Sequence, residues 1–135
     1  SSRGITDRNS SLWGGWFIKS PRLSLYHAGD TGYSKDFVKT RSTLGVPDVA
    51  FIPIGAYEPR LFVRPQHVNP AEAVQVALDL KAPRSYGMHW GTFILTDEAV
   101  KAPRRALEKA VAESGQAADF FTAPMPGQII PLLLE

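Results

Sequence analysis

Cysteine is absent from the 135 residues, which excludes disulfides and thiolate metal sites, so any metal must be held by His, Asp or Glu. No apolar run approaches the roughly 18 residues of a membrane-spanning helix. The start Ser1-Ser2-Arg3-Gly4 has neither the apolar stretch of a secretory signal nor an initiator Met, and reads as the beginning of a fragment or a processed chain. Charge of one sign is not concentrated either. The net charge is +2 and the pI about 9.0, but Lys and Arg are scattered singly apart from Arg104-Arg105. No basic stripe for nucleic acid emerges, and no helical pattern has the strongly basic face of a membrane-surface anchor. The spacing His-Glu-x-x-His and the nucleophile motif Gly-x-Ser-x-Gly are both missing, so neither reading has support. The compartment stays open between cytoplasm and the periphery of a membrane.

Hydrophobic residues make up 44% of the chain and charged residues 21%, the proportions of a chain that folds around a packed core. The β-prone runs Leu12–Ile18 and Leu23–Ala28, separated by Lys19-Ser20-Pro21, predict an antiparallel pair. Ser34 is a candidate cap for a helix carrying Phe37, Val38 and Arg41 and ending near Gly45. The unbroken apolar run Val49–Ile52 with Ile54 predicts a strand covered on both faces. Gly55–Pro65, with two prolines, reads as a loop of about ten residues. Asn69, Pro70 and Glu72 predict a capped helix start running to about Lys81. Ser85–Trp90 reads as a strand, 103–114 as a last helix stopped by Gly115, and Phe120-Phe121 and Gln128–Leu134 as short closing strands. About seven strands with three helices indicate an α/β layer structure. That inventory does not close a two-faced sheet by itself, and half of a larger fold fits better.

Chemistry-bearing residues gather at strand ends. Asp30 lies between glycines in Ala28-Gly29-Asp30-Thr31-Gly32, where it serves either as a metal ligand or as a turn-forming Asp. His89 ends an apolar strand, the place where α/β folds collect functional groups, and is alternatively a packed structural imidazole. His67, beside Gln66, stands two residues before the Asn69 cap, where backbone N–H groups and the helix dipole favour an anion. Its alternative is a loop-packing imidazole, and His27 reads as a non-functional strand residue.

Taken in order, Arg8–Trp16, Ala28–Tyr33, Ile52–Arg60, the stretch Gln66-His67-Val68-Asn69-Pro70 with Glu72-Ala73, and His89–Phe93 resemble the N-acyl phosphatidylethanolamine phospholipase D branch of the metallo-β-lactamase-fold hydrolases. The resemblance runs over nearly the whole chain. It implies that residues 1–135 are the C-terminal half of an αβ/βα sandwich: a mixed sheet with about three outer helices. It implies a two-zinc site in which Asp30 bridges both metals and His89 binds one. Gln66 and His67 resemble residues beside the substrate phosphate, with His67 in a catalytic role, and Tyr57, Glu58 and Arg60 shape that loop, with Tyr57 on the substrate side. The reaction implied is phosphodiester hydrolysis on N-acyl phosphatidylethanolamine-like phospholipids. A metal-dependent lactonase of the same fold is the alternative, and so is an inert fragment that docks on another chain. The chain departs from the family in one respect: the His-x-His-x-Asp-His ligand motif is not in it, and a further ligand His is expected upstream of Ser1. The expected partner is therefore the missing N-terminal half, or a second copy in a homo-oligomer.

Overall fold

The computed structural model describes residues 13–94 and 96–132, and within them the first elements are two short strands around a tight turn. β1 (Trp16–Lys19) pairs antiparallel with β2 (Ser24–His27), placing Phe17 opposite Tyr26. Ser20 closes the turn: its N–H donates to the Leu23 carbonyl at 2.9 Å, and its hydroxyl oxygen accepts from the Leu23 N–H at 3.0 Å. Arg8–Leu12, the start of the predicted strand and of the first resemblance segment, lies outside the described residues.

After β2 every strand runs parallel to the one before, and each connection carries a helix back over the sheet, as parallel pairing requires. The elements are α1 (Asp36–Leu44), β3 (Val49–Pro53), α2 (Arg60–Val63), α3 (Pro70–Leu80), β4 (Arg84–Met88), α4 (Ala102–Glu113) and β5 (Phe121–Thr122). The mixed sheet has the order β1-β2-β3-β4-β5. Right-handed crossovers that all step the same way put their helices on one face. Phe37 of α1, Val74 and Leu80 of α3, and Leu107 and Val111 of α4 accordingly share one core with Tyr26, Ala50, Ile52 and Phe121 of the sheet. Each fully buried Ile in it contributes about 1.5–3 kcal/mol.

α3 forms where its local signals place it. The Asn69 side chain accepts from the Glu72 N–H at 2.8 Å, and the Glu72 carboxylate accepts from the Asn69 N–H at 3.1 Å. Ala73, Val74, Ala77 and Leu80 then fall on one buried stripe, and Lys81, in the left-handed region at φ 55°, ends the helix. The opposite sheet face carries no helix among the described residues. Its aligned row Trp16, His27, Phe51 and Tyr86 runs across four strands, with Trp16 70% exposed.

Several expectations are corrected. The Gly55–Pro65 loop contains a helical turn, α2, which starts directly after Pro59; a four-residue turn leaves no apolar periodicity to read. Among the described residues there are four helices, one of them the single turn α2, and five strands, against the three and about seven expected. Residues 128–132 form no strand; Pro131 removes a ladder donor from the segment, and Leu133 and Leu134 lie outside the described residues. Ser34 does not cap α1 from the N-cap position, which is Lys35, although its hydroxyl accepts from the Asp36 N–H at 3.3 Å.

Candidate metal and phosphate site

Three loops meet at the C-terminal ends of β2, β3 and β4, and two glycines make the meeting close enough. At Gly32 a Cβ would stand 2.6 Å from the Pro65 carbonyl oxygen and 2.7 Å from that of Arg64, so only glycine lets residues 64–65 lie on the turn that carries Asp30. The contact is locked by the Val68 N–H, which donates to the Thr31 carbonyl at 2.8 Å. At Gly55 a Cβ would stand 2.1 Å from the His89 carbonyl oxygen, and beside it the Ile54 N–H donates to Met88 at 3.0 Å. His89 itself sits at φ 60°. That left-handed conformation costs a residue with a Cβ about 1–2 kcal/mol, and it turns the side chain away from the strand toward the other two loops.

Asp30, His67 and His89 thereby come together, each presenting one ligand atom within 4.8 Å of the others. The His89 Nε2 stands 3.5 Å from the Asp30 Oδ1, and the two imidazoles lie 5.3 Å apart between centroids, tilted by 32°. The Asp30 side chain is 60% exposed and that of His89 26%. The Nδ1 atoms of His67 and His89 are buried and have no hydrogen-bond partner among the described residues. Burial lowers the His67 pKa, with His89 acting the same way and Asp30 and Glu98 opposing it. The neutral imidazole that results is the form that binds metal or takes up a proton.

The loop between β3 and α3 is held at both ends. The Arg60 guanidinium spans the Glu72 carboxylate, at 2.6 and 2.8 Å, and the His67 carbonyl oxygen, at 2.8 Å. At the other end Glu98 accepts the backbone N–H groups of Tyr57 and Glu58 at 3.3 and 3.2 Å and the Thr96 hydroxyl at 2.5 Å. Burial raises the Glu98 pKa, but the Thr96 hydroxyl and the surrounding backbone N–H groups outweigh it and leave the carboxyl below its ordinary value. Glu98 has no local signature for its hold on this loop, since the two loop N–H groups it accepts lie some 40 residues away in sequence. Tyr57 reaches this assembly through its backbone; its ring is buried, which raises the phenol pKa with help from Glu98 and Glu58. Gln66 is exposed on the segment that carries His67. His27 accepts the Gly29 N–H at 3.2 Å through Nδ1, a turn contact. A cleft of about 20 Å³ adjoins His89, lined by Gly55, Trp90, Phe93 and Glu98, whereas a cleft of about 740 Å³ between α4 and β5 is remote from the three donors.

The family model described as "Beta-lactamase superfamily domain" matches residues 1–90. A Caenorhabditis elegans protein named N-acyl-phosphatidylethanolamine-hydrolyzing phospholipase D 1 is 44% identical over 109 residues, 79% of this chain and 31% of its own length. The Saccharomyces cerevisiae mitochondrial protein of the same activity name is 38% identical over 131 residues, 95% of this chain and 28% of its own length. The chain thus spans about 30% of these relatives. Among solved structures, Igni18, a metallo hydrolase from Ignicoccus hospitalis, superposes with a TM-score of 0.66 at 22% identity, over 90% of this chain and 46% of that one. At that identity the likeness establishes the α/β fold alone.

Proposed function

The chain belongs to the beta-lactamase superfamily, and from that premise we propose that it is the C-terminal half of a dinuclear-zinc phosphodiesterase acting on N-acyl phosphatidylethanolamine-like phospholipids. The observation that carries the reading is the convergence of Asp30, His67 and His89 at the strand ends within 4.8 Å. The relatives' names supply the substrate class. The open sheet face, with Trp16 70% and Ile18 54% exposed, supports a second half-domain that completes the sandwich and brings the remaining ligands. No helix among the described residues is long and apolar enough to cross a membrane.

A metal fits these residues. A carboxylate and imidazoles are the nitrogen and oxygen donors zinc accepts, and the buried Nδ1 atoms leave each ring free to offer Nε2 or Nδ1. Asp30 and His89 would hold it, through a carboxylate oxygen and an imidazole nitrogen. Bound zinc supplies Lewis acidity and acidifies water near neutral pH. The chain's own residues do the rest. His67, kept neutral by burial, meets the phosphate side and can hold a proton there, and Gln66 offers an amide on the same segment. Gly32 and Gly55 let the three loops close up around the reacting group.

The test is zinc content and phosphodiesterase turnover of the complete protein and of its Asp30→Asn variant. Zinc and turnover are expected to fall together; full zinc and full turnover in the variant would sink the assignment. Preference for lactones over phosphodiesters would move the substrate reading to a lactonase, and zinc-free complete protein would move it to an inert docking module.

A further inference from the structure

Arg60 makes the contact that ties the His67 segment to a helix. The guanidinium is a rigid fork, and here its prongs separate: Nη2 bonds both Glu72 oxygens, and Nη1 donates to the His67 carbonyl. Glu72 is in turn fixed by its reciprocal bonds with Asn69 at the start of α3. The pair is only about one-fifth exposed, 23% for Arg60 and 21% for Glu72, so water competes weakly for these bonds. The chain from α3 to the His67 backbone therefore runs helix, Glu72, Arg60, carbonyl. The His67 N–H is also taken, by the Val63 carbonyl at 2.8 Å, at the end of the turn that Arg60 begins. Both polar backbone groups of His67 are thus bound, whereas its imidazole Nδ1 is buried without a partner among the described residues. Ring orientation has to come from the backbone and from packing on His89.

We propose that Arg60 is a positioning residue: it fixes the backbone of His67, and through it the imidazole, against Asp30 and His89. For its kinetic consequence, and for that alone, the proposal rests on the phosphate-side role of His67. Arg64 does not duplicate the function, since its guanidinium is 75% exposed and stands 3.6 Å from Glu72. Lysine cannot replace Arg60, because one ammonium does not span a carboxylate and a carbonyl with fixed separate donors.

The experiment uses the complete, zinc-loaded protein with ¹⁵N-labelled histidine, and compares Arg60→Met and Arg60→Lys with the parent. Two readouts are taken: the imidazole NMR signals of His67 and His89, and kcat and KM on bis(p-nitrophenyl) phosphate. In Arg60→Met the His67 signals are expected to shift or split while zinc per chain is unchanged. kcat is expected to fall about ten- to a hundredfold, with KM changing less, as for a misplaced group at a reacting centre. Arg60→Lys keeps charge beside Glu72 and is expected to show the same displaced His67 signals with a smaller loss of kcat. If Arg60→Met does not fold, Arg60→Lys alone decides. Parental His67 signals in the folded variant overturn the positioning role, whatever the turnover. Displaced His67 signals with parental kcat uphold the positioning and overturn instead the part given to His67 in the reaction.

Discussion

Each end of the sheet carries an aspartate at a strand boundary and a left-handed residue that is not glycine, Lys81 at one end and His89, with Ala56 after β3, at the other, and the two ends use them differently. At the end where β2 and β3 begin, Asp48 accepts both the N–H and the hydroxyl of Ser24 at 2.7 Å, pinning two parallel strands, and Lys81 closes α3 at φ 55° with its side chain in solvent. At the end where β2 and β4 finish, Asp30 is largely exposed and faces two imidazoles, and His89 holds φ 60° with its side chain aimed inward. Hydrogen bonds thus saturate the aspartate at the first end, whereas at the second the proposed ligands are left facing one another.

That contrast breaks most sharply with the two Asp→Asn variants measured side by side. Asp30→Asn is expected to weaken zinc binding by about a hundredfold while leaving the denaturation midpoint in place, read by zinc titration and chemical unfolding. Asp48→Asn is expected to do the reverse, lowering stability by about 1 kcal/mol with zinc affinity unchanged. A variant pair that loses both properties together would erase the distinction between the ends.

The left-handed residues sharpen it further. Lys81→Gly relieves the Cβ strain at a helix end and is expected to stabilise by about 0.5–1 kcal/mol with parental turnover. His89→Gly relieves the same strain but is expected to abolish turnover. Retained activity in His89→Gly would remove His89 from the site.

The smallest effect is one of pH. The Ser24 hydroxyl, more than its N–H, holds the Asp48 carboxyl below its ordinary value of 3.8. A pKa depressed in the folded state gives stability that is complete above the unfolded value and is lost as pH falls through the folded one. The stability gap between parent and Asp48→Asn is therefore expected to be constant at neutral pH and to close below about pH 3.8. A gap that persists in acid would show that the Ser24 bonds do not depend on the charge.

What could be read along the chain was whatever depends on neighbours in sequence. The start of α3 is legible because Asn69 and Glu72 are three residues apart and bond to one another, with Pro70 at the first helical position. β3 is legible because a strand buried on both faces has to be apolar throughout. α2 was illegible, since a single turn held by Arg60 to Glu72 and His67 has no periodicity of its own. The 128–132 segment was misread, since β-prone residues form a strand only where an edge with free donors accepts them. Asp30 and His89 stood out as polar groups at strand ends, whereas Glu98 gave no local sign.

The sequence by itself determined the start of α3, the doubly covered central strand and the nitrogen and oxygen donors to which any metal site is limited, because each follows from hydrogen bonds and burial within a few residues or from composition. Only the tertiary structure decided that His67 joins Asp30 and His89, and that Arg60 and Glu98 hold the loop between them. Those contacts depend on the close approach of three separate loops at Gly32 and Gly55, and the distance between loops is fixed by the packing of the whole sheet and its helices.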